Sequence, residues 1–486
     1  MFARVLEHTS EPADKPEAFR DYLGDNDPMA DPKGTIPLPP RARLFTARQA
    51  IDVALESYRG SRLTEARGIL QKVVDAEPGH GFAHHLLGVI AYRMGEMENA
   101  LEFFRRAIER DPNLAAAHGN LALVLLGTNR LVEAQRSCRR ALELQPDSSE
   151  FHNTLGMILA ALGRSDEAER CYSEAIRINE AFPEAHNNIA SLLIKNDRRA
   201  DAEKHLRRSI ELVPDDTLIL NNLASILIQM DRREEAIGVL KDMCRLDPDD
   251  VHGQSLRLAY LGAAPPPKTR SSRYLNDLYK KRSAHWDRKM DGGPYRAPDL
   301  VVDMASRIGG GLGGLDVLDA GCGTGFIGDL LGGECRRLVG VDLSPEMLAV
   351  ADGKGAYDRL VCADLIDYMK EHPNTFDAVV SAATLIHFGD LRPVFSAAWK
   401  TLKQNGIFVF TAFPFEGEGV GVNALMFYAH SEDYVASTAG GAGFEVIAID
   451  RQVQEYEKPD GRPVECLVVG LRRRGRRRGR RSKANA

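Results

Sequence analysis

The sequence predicts an α plus α/β protein, an all-α repeat solenoid followed by a doubly wound domain of seven strands. Three observations carry that prediction. A 34-residue period runs through the first half of the chain. After the triproline Pro265-Pro266-Pro267 the pattern changes to short apolar runs alternating with helical periodicity, as in parallel sheets covered by helices. One of those runs, Val317-Leu318-Asp319-Ala320, leads into Gly321-Cys322-Gly323-Thr324-Gly325, a buried strand turning tightly into a helix.

At 486 residues the chain is too long for one core. Its 44% hydrophobic and 27% charged residues are ordinary for globular protein. No apolar stretch reaches membrane-spanning length, and the first residues lack the apolar core of a signal peptide. Seven scattered cysteines, none in C-x-x-C, argue against a disulfide framework or a metal site and for a cytoplasmic location. The net charge of −6 is uneven, because eight arginines and one lysine lie between Arg472 and Lys483.

Residues 1–46 are rich in Pro, Asp and Gly and are expected to be disordered. The repeats follow over 47–250. Pro78, Pro112, Pro146, Pro214 and Pro248 share one grid position, with Glu180 at the missing point. Ala66, Ala100, Ala134, Ala168, Ala202 and Ala236 share another. An apolar column (Val53, Leu87, Leu121, Leu155, Ile189, Leu223) is followed by a column that is always Ala or Gly. Small residues let two antiparallel helices approach closely, and proline ends the second. These six copies closely resemble the tetratricopeptide repeat. Residues 251–273 read as a capping helix and a proline-rich linker, 274–471 as the α/β domain, and 472–486 as a basic disordered tail.

Strands are expected at 315–320, 337–342, 359–363, 376–381, 406–412, 444–450 and 465–471. The first ends in the glycine turn, where a side chain would keep the backbone from a ligand. The spacing G-x-G-x-G differs from the dinucleotide fingerprint, because Phe326 stands where that fingerprint needs glycine. It resembles motif I of the class I S-adenosylmethionine-dependent methyltransferases, which have a Rossmann-like fold whose last strand enters antiparallel. Four later segments match in order. Arg337-Leu338-Val339-Gly340-Val341-Asp342 ends in an acid suited to the two hydroxyls of a ribose. Leu343 and Met347 follow on a Ser-capped helix and could pack on adenine. Val361-Cys362-Ala363-Asp364 ends in the acid that, in the family, receives the adenine amino group. Phe376–Ser381 and the run through Asn405-Gly406 into 407–410 resemble the fourth and fifth strands. The resemblance implies S-adenosyl-L-methionine as cofactor, held by Asp319, Gly321, Gly323, Gly325, Asp342, Leu343, Met347, Asp364 and Ser381. Chains of this kind that also carry tetratricopeptide repeats resemble bacterial methyltransferases of that architecture. In the family, helices such as those around Tyr274, Tyr279, His285-Trp286-Asp287 and Pro294-Tyr295-Arg296-Ala297-Pro298 fold over the cofactor.

The acceptor side is less marked. The loop after the fourth strand has no Asn/Asp-Pro-Pro-Tyr, which disfavours methylation of a base amino group. His387 is the candidate general base, with a histidine satisfied within its loop as the plain alternative. Asp390 reads as a helix cap, and His430 and Tyr434 as candidates for the rim, with core packing the expected role of Tyr434.

In the array, Asn120, Asn188 and Asn222 share a column with Thr154, beside Asn153, Asn187 and Asn221. Asparagine amides can clamp a peptide backbone or bridge repeats, and both readings are open. The first resembles the asparagine ladder of O-linked N-acetylglucosamine transferase. The column His84, His118, His152, His186 is expected to pack, since adjacent repeats lie too far apart to share a metal. The arginine tail suits non-specific contact with nucleic acid or an anionic surface. Three functions follow: a methyltransferase whose repeats recruit a protein, a small-molecule methyltransferase on a repeat scaffold, and an adaptor with an inert cofactor domain.

Overall fold

A computed structural model describes residues 18–20, 44–271, 273–275, 278–279, 295–456 and 462–475. His285, Trp286, Asp287 and Pro294, and most of both termini, lie outside these. The chain forms two compact units, Met1–Asn222 and Leu223–Ala486. They divide inside the sixth repeat and not at the triproline.

Two pieces of the stretch expected to be disordered are strands: β1 (Ala18–Arg20) pairs antiparallel with β2 (Leu44–Thr46). The repeats then follow as helix pairs. First helices begin at Ala47, Gly81, Ala115, Ser149, Pro183 and Thr217, and second helices at Leu63, Met97, Leu131, Ser165, Arg199 and Arg233. The alanine column explains the close packing, since all six alanines are completely buried. The small column works in the same way. A Cβ on Gly88 would stand 2.6 Å from the Phe104 ring, and one on Gly156 equally close to Tyr172. A further column was not read from the sequence. Ser61, Gly95, Asn129, Gly163, Asp197 and Asp231 all have positive φ in the turn between paired helices. Gly, Asn and Asp tolerate that conformation best, and the mixture of four residue types hid the pattern.

The α/β domain carries β3 (Asp316–Ala320), β4 (Arg337–Asp342), β5 (Arg359–Cys362), β6 (Phe376–Ser381), β7 (Leu402–Pro414), β8 (Val420–Val422), β9 (Tyr428–His430), β10 (Phe444–Tyr456) and β11 (Pro463–Arg473). The sheet order is β10-β11-β7-β6-β3-β4-β5. β3 to β7 run parallel, and β11 enters antiparallel between β7 and β10. The seven expected strands are therefore present. Two short ones extend them, with β9 on the end of β7 and β8 on β9. Asn405 adopts φ 64° inside β7 beside a register shift, so the Asn405-Gly406 stretch is an irregularity within that strand. β11 runs to Arg473, and Arg473 stacks on Trp399 while Arg472 donates to the Ile308 carbonyl at 2.6 Å. The first two arginines of the expected tail thus belong to the sheet.

The core lies on both faces of the sheet. One layer centres on Phe395, Phe408, Phe410 and Phe444, and the other on helix Ala297–Gly309 with Ile327, Val380 and Val409. Strand order reverses between β3 and β6, which opens a crevice beyond their carboxyl ends.

Candidate functional site

That crevice is a cavity of about 1010 Å³, counting its open mouth. Its floor is the glycine turn. Gly321 (φ 85°), Gly323 (φ 53°) and Gly325 (φ 89°) all take the left-handed conformation that β-carbons disfavour. A Cβ at Gly321 would stand 2.3 Å from Thr384 Oγ1, whereas at Gly323 it would meet nothing within 4 Å. Gly321 is thus needed for packing, and Gly323 opens the backbone to the cavity. Gly325 sits against Tyr357 and Ala351 and does not line the cavity.

Three carboxylates reach the cavity from the ends of successive strands. Asp342 accepts the N–H groups of Gly323 at 3.0 Å and Ser344 at 2.8 Å. These bonds orient it and leave lone pairs for a ligand; burial holds its carboxyl above the usual range. Asp364 Oδ1 accepts from Ile366 and Asp367 and so caps helix Leu365–Glu371. Asp319 is 1% exposed and accepts from the Tyr357 hydroxyl at 2.7 Å. Burial, then the charge of Asp342, pushes its carboxyl up to about 7, against the lowering effect of Tyr357. Its Oδ1 and the Thr324 hydroxyl are buried without a hydrogen-bond partner among the described residues. Native proteins rarely leave such atoms unpaired, so the pair marks a place for ligand donors.

Leu343 and Met347 line the wall, the first half-open and the second buried. Tyr279, Tyr295 and Pro298, from the segments before β3, line it from above. Ser381 departs from expectation. It is fully buried, donates to the Ala320 carbonyl at 2.6 Å, and is not among the residues of the cavity. It ties β6 to β3, a role its position at a strand end does not disclose.

His387 lines the far end, 4% exposed, on the short turn Leu385–His387. Its Nε2 meets the Tyr279 hydroxyl, and its ring contacts Phe427 edge-on at 5.6 Å. Tyr279 as its partner was not read from the sequence, since 108 residues separate them. The turn is held from behind. Gly389 and Asp390 donate to the Lys268 carbonyl at 2.9 Å, and Arg270 N–H donates to the His387 carbonyl at 3.4 Å. The chain after the triproline is therefore fastened to this turn within the second unit. His430 and Tyr434 do not line the cavity, and Tyr434 packs against the core as expected. His430 Nε2 bonds the Phe388 carbonyl at 2.9 Å, burial lowers the imidazole to about 4, and Tyr434 accepts from Leu391. Asp390 accepts the Arg392 N–H and pairs with its guanidinium at the start of helix Arg392–Thr401.

In the array the histidine column proves to be a repeated tie. Nε2 of His84, His118, His152 and His186 bonds the carbonyl six residues upstream, that of Pro78, Pro112, Pro146 and Glu180, at 2.9–3.2 Å. Asn188 donates to Asn153 at 2.9 Å and Asn222 to Asn187 at 2.8 Å, linking successive repeats. Asn120 is buried, with neither amide atom hydrogen-bonded among the described residues. No cluster of three metal-ligating side chains and no helix long and apolar enough to cross a membrane occurs among the described residues.

Comparison with known proteins agrees with this architecture. Residues 318–410 match the family model described as a methyltransferase domain, and residues 42–273 that of the cilia and flagella-associated protein 70 C-terminal domain. A methyltransferase-named protein of Geobacillus sp. (strain WCH70) is 32% identical over 134 residues, which cover 26% of this chain and 54% of its own. The ubiquinone biosynthesis O-methyltransferase of Thiobacillus denitrificans is 36% identical over 101 residues, 20% of this chain and 43% of its own. The malonyl-[acyl-carrier protein] O-methyltransferase of Priestia megaterium is 31% identical over 123 residues, 24% of this chain and 42% of its own. The chain thus spans about half the length of these curated relatives. Among solved structures, pilF of Pseudomonas aeruginosa is similar with TM-score 0.39 and 21% identity, over 43% of this chain and 96% of its own. The chain thus carries, over residues 318–410, a match to a methyltransferase domain, behind an N-terminal array of six helix pairs with the 34-residue period of tetratricopeptide repeats.

Proposed function

We propose that this protein transfers a methyl group from S-adenosyl-L-methionine to an acceptor that its repeat array recruits. The observation that carries the reading is the crevice itself: three carboxylates and a bare glycine backbone around one cavity at the point where strand order reverses. In this reading Asp342 takes the ribose hydroxyls and Asp364 the adenine amino group, with Leu343 and Met347 on the base. Gly321 and Gly323 admit the methionine part. Asp319 Oδ1 and Thr324, buried without partners, offer acceptors to an ammonium group.

The cofactor, when bound, supplies an electrophilic methyl on a sulfonium. The protein's task is to hold an acceptor in line with it and to exclude water, a matter chiefly of positioning. His387 faces the same cavity and takes the acceptor's proton, while Tyr279 holds the imidazole by its Nε2. Among the described residues no lysine or arginine lines the cavity. A neutral acceptor suits that lining better than a free carboxylate. The array is read as the docking platform for a protein that is, or carries, the acceptor. Asn188 and Asn222 are engaged by their neighbours and Asn120 is buried, so in this reading the platform does not depend on free amides of that column.

The test is calorimetric titration of S-adenosyl-L-methionine into the full-length protein, with Asp342→Ala beside it. Saturable binding, weakened at least tenfold by the substitution, is expected, because each charge-assisted bond is worth about 1.5–3 kcal/mol. Folded wild-type protein that binds none would overturn the reading in favour of an adaptor with an inert domain.

A further inference from the structure

A second cavity lies within the second unit, between the capping helix Gln254–Tyr260, the chain that follows the triproline, and Met426. Its volume is about 400 Å³, counting its open mouth. Its most unusual member is Arg270, which is 7% exposed. The guanidinium stands over the rings of Tyr274 at 4.7 Å and Phe427 at 5.2 Å. Its Nε is buried without a hydrogen-bond partner, and among the described residues no carboxylate lies within ion-pair distance of the side chain. Arginine does not relieve such burial by losing its proton, so a buried guanidinium is normally paired with an anion.

The other ionisable groups around the cavity are Arg257, Asp250 and His252. Arg257 is 9% exposed, and the Ser225 hydroxyl, which it reaches at 3.0 Å, is one of its contacts. Asp250 accepts the Ser255 N–H, and burial raises its carboxyl above the usual range. Two guanidiniums and one carboxyl thus line the same cavity.

We infer that this cavity is a binding site for a small oxyanion, a phosphate or a carboxylate, held by Arg270 and Arg257. The fork of a guanidinium matches both anions with two parallel bonds. The site is separate from the methyl-transfer crevice, yet it touches the same turn. The Arg270 N–H donates to the His387 carbonyl, and the Phe427 ring under its guanidinium meets the His387 ring on another side. An anion that fixes Arg270 therefore also fixes the turn that carries His387.

The experiment titrates inorganic phosphate, and in a separate series acetate, into the full-length protein at constant ionic strength made up with chloride. Binding is read from the thermal midpoint and by calorimetry, with no turnover involved, so the result stands apart from the methyltransferase reading. The expected result is a saturable rise with at least one of the two, which also decides between them. Arg270→Gln should move half-saturation at least tenfold higher, and Asp250→Asn, which removes the opposing carboxyl, a few-fold lower. A wild-type protein without a saturable rise, as for a cavity that holds only water, would overturn the inference. So would equal half-saturation in Arg270→Gln. Should that variant fail to fold, an unchanged half-saturation in Asp250→Asn would overturn it instead.

Discussion

The two halves of this protein differ in how their polar groups are organised. In the repeat array a set of local pairings recurs from repeat to repeat. Each histidine of the column ties down the carbonyl six residues before it, and asparagines join neighbouring repeats. In the α/β domain no such period exists among the described residues, and two of the buried polar atoms without partners there, Asp319 Oδ1 and Thr324 Oγ1, belong to residues that line the cavity. A satisfied and periodic polar group stabilises a fold, whereas an unsatisfied one beside a cavity implies a ligand. The array also holds buried polar atoms without partners among the described residues, at Ser57, His85 and Asn120.

The largest expected effect tests the glycines on each side. Gly321→Val places a Cβ against Thr384 in a left-handed backbone, and Gly156→Val drives one into the Tyr172 ring. Each should cost about 3 kcal/mol or more. Gly321→Val should also abolish cofactor binding, while Gly156→Val leaves it intact in protein that remains folded. Denaturant melts with calorimetry on both variants check this, and loss of binding by Gly156→Val alone would break the comparison.

Asp319 gives the next effect. Its carboxyl is raised in the folded protein to about 7 from 3.8, so the folded state holds its proton more tightly than the unfolded chain. That contribution is fully present below about pH 4 and is lost as pH rises to about 7, on the order of 4 kcal/mol in all. Asp319→Asn keeps an acceptor for Tyr357 but cannot ionise. Its stability should overtake that of the wild type as pH rises through this window, while its cofactor affinity falls. Parallel stability curves for the two proteins from pH 4 to 7 would remove the strained carboxyl from the account.

The array should respond in the opposite direction. Burial lowers the imidazoles of His84, His118, His186 and His205. The unfolded chain then takes up protons first, so array stability is full above about pH 6.5 and declines as pH falls below it. Following the helix signal at 222 nm from pH 7.5 to 5 should show the midpoint falling, and His186→Gln should flatten part of the slope. A pH-independent midpoint would mean that these rings titrate freely.

The smallest effect belongs to the asparagine pairs. Asn188→Ala removes one bond and leaves Asn153 unpaired, a loss of about 1–2 kcal/mol. Asn120→Ala removes an unpaired amide and should cost less than that. Equal losses at the two positions would show that Asn120 is satisfied in solution by something other than a partner.

The sequence by itself determined whatever is local or periodic. Six in-phase copies specify the helix pairs, because the same alanine must be small at the same contact each time. Three glycines behind an apolar run specify the turn, because left-handed backbone and close approach both exclude side chains. The acids Asp342 and Asp364 were legible for the same reason, each following its own strand directly. Tertiary structure decided what depends on partners far along the chain. Ser381 looked like a cavity residue from its place at a strand end, but the Ala320 carbonyl on the neighbouring strand captures its hydroxyl. His430 fell behind the turn that carries His387, bonded to the Phe388 carbonyl, where β9 joins the end of β7. Tyr279 met His387, and Arg270 was enclosed without a counter-ion, through packing between segments about a hundred residues or more apart. Such contacts arise from how strand order and burial bring distant side chains to one place, and no spacing within a single segment records them.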